Sequence, residues 1–189
     1  MKYFISAVVF ILVTLTTNVH SQQGQSDKKF KQEFLDRINR MRRKGCMCGL
    51  TRMQPAKPLI WNSLLESAAL GHAQDMAANN YFSHNSKDGR TTLNRIENIG
   101  YTHNGYKSFT VGENIAQGQQ SIAEVIDGWF KSEGHCRNLM NPDFKEVGVA
   151  VYNNYWVQDF GGREEFSAEV KQMINSGKYR LIQKSRPAQ

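Results

Sequence analysis

The sequence predicts an α+β fold, on three observations. Apolar residues recur every three to five positions in separate stretches, the mark of amphipathic helices, over 27–44, from Ser63 to Asn79 and over 121–132. Two late stretches, GVAVY from Gly148 and YWVQDF ending at Phe160, read instead as strands, and Asn153-Asn154 between them tolerates positive φ and closes a tight hairpin. A chain of 189 residues with 40% hydrophobic and 11% aromatic content buries one core, so one ordinary domain with appendages accounts for the length, and no internal repeat is visible.

Residues 1–21 differ in kind. Lys2 supplies a positive start, FISAVVFILVTL is an uncharged apolar run, and Val19-His20-Ser21 places small residues where a signal peptidase reads. About 12 to 14 apolar residues are too few to span a bilayer comfortably, which favours a cleaved secretory signal over a membrane anchor and implies a secreted or periplasmic protein. An oxidising compartment lets Cys46, Cys48 and Cys136 form a bond. The spacing of Cys46 and Cys48 strains a bond between those two, so one of them is expected to join Cys136. Zinc held by the trio is the sharper alternative, but C-x-C with one distant Cys is not a usual structural spacing. The formal charge of +7 suits attraction to anionic envelope polymers or lipids. Basic and aromatic residues do not interleave as a nucleic-acid surface requires, and no nucleic-acid partner is expected.

In the first helix Phe30, Phe34, Leu35, Ile38 and Met41 make the apolar stripe, Asp27 stands where it can cap the start, and Arg40, Arg42, Arg43 and Lys44 crowd the end, where positive charge suits the helix dipole. Residues 45–60 hold two glycines and two prolines and read as a loop running into the short apolar Leu59-Ile60-Trp61. Ser63 and Glu66 make a capping box for the second helix, whose Leu64, Leu65, Ala68, Ala69, His72, Met76 and Ala77 face one way. Its alanines imply close packing, and His72 on that stripe reads as a core histidine bonded to backbone. Asn79-Asn80 end this helix, and Tyr81-Phe82 anchor the chain so that His84 is held at a rim. Asp88-Gly89 gives a turn, a short helix runs from Thr91 to Asn98 until Gly100 stops it, and 101–110 reads as a polar surface loop.

VGENIA from Val111 fits a buried strand, and Glu113 inside it needs hydrogen bonds or a cationic or metallic neighbour. The next helix carries Ile122, Val125, Ile126 and Trp129. The chain is organised around the stretch from Trp129 to Pro142, WFKSEGHCRNLMNP. Gly134 is expected to break the helix, and His135, Cys136 and Arg137 to open a new short one stopped by Asn141 and Pro142. An imidazole at a helix start favours its neutral form, which accepts a proton or binds a metal. Beyond Gly162 the chain is charged, with a further helix near Glu164 to Ile174 and a tail.

Taken together, HAQDMAANNYFSH from His72, DGR from Asp88, GENIAQG from Gly112, WFKSEGHCRNLMNPDFKEVGVAV from Trp129 and YWVQDFG from Tyr155 resemble, in order, the CAP superfamily of cysteine-rich secretory, antigen 5 and pathogenesis-related proteins, in its bacterial SCP-like extracellular branch. The resemblance implies an α-β-α sandwich with a small antiparallel sheet between helices, over a domain from 27 to 162 followed by a charged extension, 163–189. It implies a cleft of two histidines and two acids associated with divalent cations, zinc foremost. His84, Glu113 and His135 match the metal-associated positions. The fourth departs from the family's pattern, since Ser132 stands three residues after the helix tryptophan, and Glu133, one later, is the acid expected beside the cleft in its place. In the branch that carries GHC, that Cys pairs with one preceding a distant Gly, which implies Cys48 with Cys136 and leaves Cys46 free.

Two imidazoles and a carboxylate with open positions are what metal hydrolases use, but H-E-x-x-H and G-x-S-x-G are both missing. A Cys136-His135 nucleophile is disfavoured, because adjacent helical residues point about 100° apart. The expected function is therefore a secreted binding module whose His/Glu cleft takes a divalent cation and a lipid, glycan or peptide, with no catalytic residue assigned. A metal-dependent hydrolase of cell-envelope material is the alternative, and a hydrogen-bonded structural cluster of His84, Glu113 and His135 weighs equally against a ligand site.

Overall fold

The computed structural model describes residues 27–181. The expected signal, 1–21, and the end of the tail lie outside the described residues. Helix α1 covers 27–44, with Phe34 and Ile38 buried and Asp27 already helical rather than capping. There follow β1 (Cys46–Cys48), β2 (Thr51–Met53), β3 (Ile60–Trp61), α2 (Ser63–Ala78), α3 (Thr92–Asn98), β4 (Ser108–Gln117), α4 (Ile122–Lys131), α5 (Glu133–Met140), β5 (Glu146–Tyr152), β6 (Tyr155–Glu164) and α6 (Ala168–Asn175). No helix among the described residues is long and apolar enough to cross a membrane.

The main sheet has the order β3-β5-β6-β4. β5, β6 and β4 are antiparallel, and the two-residue β3 joins the edge in parallel. Asn153 and Asn154, at φ 46° and 62°, close the β5–β6 hairpin as expected. The period of two then divides the core. Val147, Val149, Trp156, Phe160 and Ala116 face Phe34 and Ile38 of α1, Val125, Ile126 and Trp129 of α4 and Leu139 of α5. Ala150, Val157 and Ile115 face Ala69, Ala73 and Met76 of α2. The result is the α-β-α sandwich. Gly148 explains how closely α2 lies on β5, since a Cβ there would overlap the backbone of Leu65 and Glu66.

Several local readings change. The stretch 45–60 is not all loop: β1 and β2 form a small antiparallel hairpin turned at Gly49, whose φ is 58°. Asn62, not Ser63, caps α2 by accepting from the amides of Leu64 and Leu65, and Glu66 is instead taken by Lys31 and Trp61. Ser132 separates α4 from α5, and Gly134 lies inside the first turn of α5. Tyr101 is buried, not in a surface loop, and its hydroxyl donates to Glu146 Oε2 at 2.7 Å. Arg42 leaves the solvated end of α1 for the interior.

Candidate functional site

The site forms on β4, the edge strand, where the two helical layers meet. Alternation turns Glu113 toward the α2/α3 side and its neighbour Asn114 toward α5, so consecutive residues reach both layers. The loop after α2 brings up His84. Asn80, at φ 49°, turns the chain out of the helix, and Tyr81 is anchored by donating its hydroxyl to Asp75 Oδ2 at 2.5 Å. His72 Nε2 donates to the carbonyl of Ser83 at 2.9 Å, and Arg95 Nη1 donates to the carbonyl of His84 at 2.9 Å. His84 is thus held from both sides by buried groups, and His72 has the core role expected of it.

Glu113 is the hub. Its side chain is 2% exposed, against 53% for His84, whose Nδ1 donates to Glu113 Oε1 at 2.6 Å. Thr92 Oγ1 donates to the same oxygen at 3.2 Å, and Arg95 Nη2 donates to Oε2 at 2.6 Å. Burial alone would raise the Glu113 pKa, but the His84 hydrogen bond and the Arg95 charge outweigh it and hold the carboxyl below its usual range. The same hydrogen bond raises His84 against the opposing effect of its partial burial. A proton on Nδ1 directed at a carboxylate leaves Nε2 of the neutral ring with its lone pair, on a side chain that is half exposed.

His135 approaches from α5. Asn138 Nδ2 ties that helix to β4 by donating to the Glu113 carbonyl at 3.1 Å and to Asn114 Oδ1 at 3.0 Å, and Asn114 Nδ2 donates back to the His135 carbonyl at 3.3 Å. Burial lowers the His135 pKa, and the charge on His84 lowers it further, so the two rings sense each other. The neutral form expected at His135 therefore comes from burial and its neighbour. Behind the cluster, Asp159 pairs across the sheet with Glu113 and is fully buried. Burial, then the Glu113 charge, raises its carboxyl well above the ordinary range, so it stays neutral beside an ionised Glu113.

The structure joins His84 directly to Glu113 and brings His135 to the same edge without a hydrogen bond between its ring and Glu113 among the described residues. Glu133 is not drawn in: it pairs with Arg137 at 2.6 Å and sits against Gly49 of the β1–β2 turn. For a divalent cation the donor set divides. Both Glu113 oxygens are committed, one of them to a guanidinium, so the imidazoles are the groups that fit as ligands, with Glu113 orienting His84 from behind. Cys48 and Cys136 are bonded, with Cα atoms 5.5 Å apart, as the resemblance implied. The three cysteines are the one triad of possible metal-ligating side chains that converges among the described residues, within 4.8 Å, but the bridge removes two thiolates from the zinc alternative.

Arg95, Thr92, Asn138 and Asp159 escaped the sequence reading. The rule that singled out Glu113, a carboxylate inside an apolar strand, also singles out Asp159 in YWVQDF. Arg95 has a weaker signal, a lone cation on the short helix opposite a strand that needs one.

Comparison with known proteins gives the same outline. The family model for the cysteine-rich secretory protein family, CAP, matches residues 35–160. YkwD of Bacillus subtilis is 32% identical over 149 residues, which is 78% of this chain and 52% of that protein. The crystal structure of an extracellular SCP-domain protein from Bacillus anthracis superposes with a TM-score of 0.58 at 32% identity, over 69% of this chain and 39% of that one. An outer surface protein of Borrelia burgdorferi shares the fold at 20% identity, with a TM-score of 0.55 over 74% of this chain and 94% of its own. The chain thus spans about half the length of YkwD, and less of the anthracis protein.

Proposed function

Since the chain belongs to the cysteine-rich secretory protein family, we propose that it is an exported binding module whose cleft holds a divalent cation between His84 Nε2 and His135. The observation that carries this reading is the 2.6 Å hydrogen bond from His84 Nδ1 to a buried, ionised Glu113, a carboxylate–histidine arrangement that leaves the other nitrogen of a half-exposed ring free to act as a ligand. A cation held there supplies a positive centre for an anionic group, and the net charge of +7 favours an anionic envelope lipid, glycan or peptide as the partner. The apolar run at 1–21, and an extracellular and an outer-surface protein among the fold's neighbours, support secretion or a periplasmic place.

The test is calorimetric titration of zinc into the oxidised chain carrying Cys46→Ser, which removes the free thiol as a competing ligand. One saturable site is expected. His84→Ala and His135→Ala should each weaken it by more than about tenfold, and Glu113→Gln by about 10- to 100-fold through loss of orientation. Unchanged affinity in both histidine variants overturns the assignment. A second reading, metal-dependent hydrolysis of envelope material, draws support from the small donor set, since a cation held by two imidazoles, with both Glu113 oxygens already committed, keeps positions open for a water. Zinc-loaded protein that binds envelope polymer but releases no soluble fragments rejects it.

A further inference from the structure

Outside the cleft, the sulfur cluster asks for an account. Cys46 and Cys48 occupy alternate positions of β1, and alternate positions of a strand share a face, while Met47 between them is half exposed. Cys136, on the first turn of α5, meets that face. Two strand positions about 6.6 Å apart lie near the upper limit for a direct bridge, so C-x-C on a strand presents two sulfurs to one outside partner more readily than to each other. Only one is bonded. Cys46 Sγ stands 3.8 Å from Cys136 Sγ and 4.0 Å from Cys48 Sγ. Cys48 and Cys136 are fully buried with Met140, against Met41, Met53 and Phe130, and Cys46 is half-buried at the margin.

We propose that the three sulfurs form a thiol–disulfide exchange centre in which Cys46 displaces Cys48 from Cys136. Cys46 Sγ lies beside the bond, almost equally far from both sulfurs, so it first swings about its own χ1 into line with the bond; it then releases its proton to solvent, and the thiolate attacks Cys136 Sγ. The Cys46–Cys136 bond forms as the Cys48–Cys136 bond breaks, and the departing electron pair stays on Cys48, which takes up a proton. Nothing is oxidised or reduced overall, so no outside electron donor or acceptor enters. Either bridge ties the β1–β2 hairpin to α5, so the fold keeps its link while the free thiol moves from the margin to the interior. Burial pushes the Cys46 thiol up, with Arg52 of β2 opposing in part, and the other charged pair at this hairpin is Glu133–Arg137. The reactive thiolate is therefore the minor form near neutrality.

The oxidised wild-type chain is incubated without reductant at mildly alkaline pH, quenched in acid, and labelled with a maleimide in acidic denaturant before peptide mapping. About a tenth or more of the label is expected on Cys48, with the rest on Cys46 and none on Cys136. C46S should carry no label, because the exchange then has no attacking thiol. C48S, folded in a glutathione redox buffer in which the wild-type Cys48–Cys136 bridge forms, should contain a Cys46–Cys136 bridge, oxidised glutathione being the electron acceptor. Label confined to Cys46 at every time and pH overturns the proposal, as does a folded C48S with both thiols free. The wild-type map requires no substitution and stays decisive if C48S does not fold.

Discussion

Arg42 and Arg95 are the buried arginines among the described residues, and they are satisfied in opposite ways. Arg42 leaves α1 and donates to four carbonyls: Lys57 at 2.8 Å, Leu139 at 2.7 Å, Asn141 at 3.0 Å and Phe144 at 3.2 Å. It stitches α1 to the chain on either side of Pro142. Arg95 also holds carbonyls, those of His84 and Arg90, but its second arm ends on the Glu113 carboxylate. Carbonyls do not titrate. Burial pushes Arg42 down to about 10, still far above neutrality, so its knot is indifferent to ordinary pH. Arg95 instead begins a titrating chain that runs through Glu113 to the half-exposed His84. One buried cation fixes a shape, and the other sets the charge of a cleft.

Removing each arginine tests that contrast, and the largest effect is expected at Arg42. Arg42→Met orphans several buried carbonyls that have no protonation state to retreat into, and should cost about 4 kcal/mol in urea unfolding, with little change between pH 5 and 8. A loss below about 1 kcal/mol means that water replaces the guanidinium and the knot is not structural. Arg95→Met should cost less, about 3 kcal/mol at pH 8, because the stranded Glu113 can take a proton. The sign comes from the carboxyl. In the wild type Glu113 is depressed, so its contribution is present above its unfolded value of 4.5 and fades as pH falls through the lower folded value. In the variant the Arg95 charge no longer opposes burial, the largest effect on this carboxyl. With the His84 hydrogen bond still against it, the value is expected to rise above 4.5, so the penalty shrinks as pH falls through it. A penalty equally large at pH 5 and pH 8 would erase the distinction between the two arginines.

The same pair marks how much the sequence disclosed. Stripes and alternation foretold both helical layers and the β5–β6 hairpin, because side-chain period alone decides which face is buried. His84 and Glu113 were legible for related reasons, one held after a helix stop and the other an acid in an apolar run. Arg42 misled because position on a helix suggested a solvated end, and what draws it inward is a set of carbonyls from residues 57 and 139–144 that no local pattern announces. Arg95 was missed for the complementary reason: Glu113 declared a need for a partner, but the partner is 18 positions away and is chosen by tertiary packing. Glu133, as the acid one residue past the position three after the helix tryptophan, is put near the cleft by the resemblance. Its side chain takes another face of α5, toward Arg137 one turn on and the turn at Gly49. The β1–β2 hairpin hid among glycines and prolines because three-residue strands carry too little alternation to be seen.

The smallest effect in free energy gives the sharpest view of the titrating chain. His84 is raised first by its hydrogen bond to Glu113, so the stability this pair contributes is fully present below the ring's unfolded value of 6.5 and is lost as pH rises through the higher folded value. With the ring half exposed, solvent screening leaves that contribution under about 0.5 kcal/mol, too small for unfolding curves to isolate. Proton NMR of the imidazoles resolves it directly. The wild type should show His84 titrating above 6.5 and His135 below it. Glu113→Gln keeps the shape of the acceptor while removing its charge, so His84 should fall toward 6.5 or below it, and His135, no longer facing a charged neighbour over the same range, should rise. A His84 midpoint unmoved by Glu113→Gln would mean that the carboxylate does not govern the ring. Arg95 would then serve only to neutralise a buried acid, as closed a structural knot as the one at Arg42.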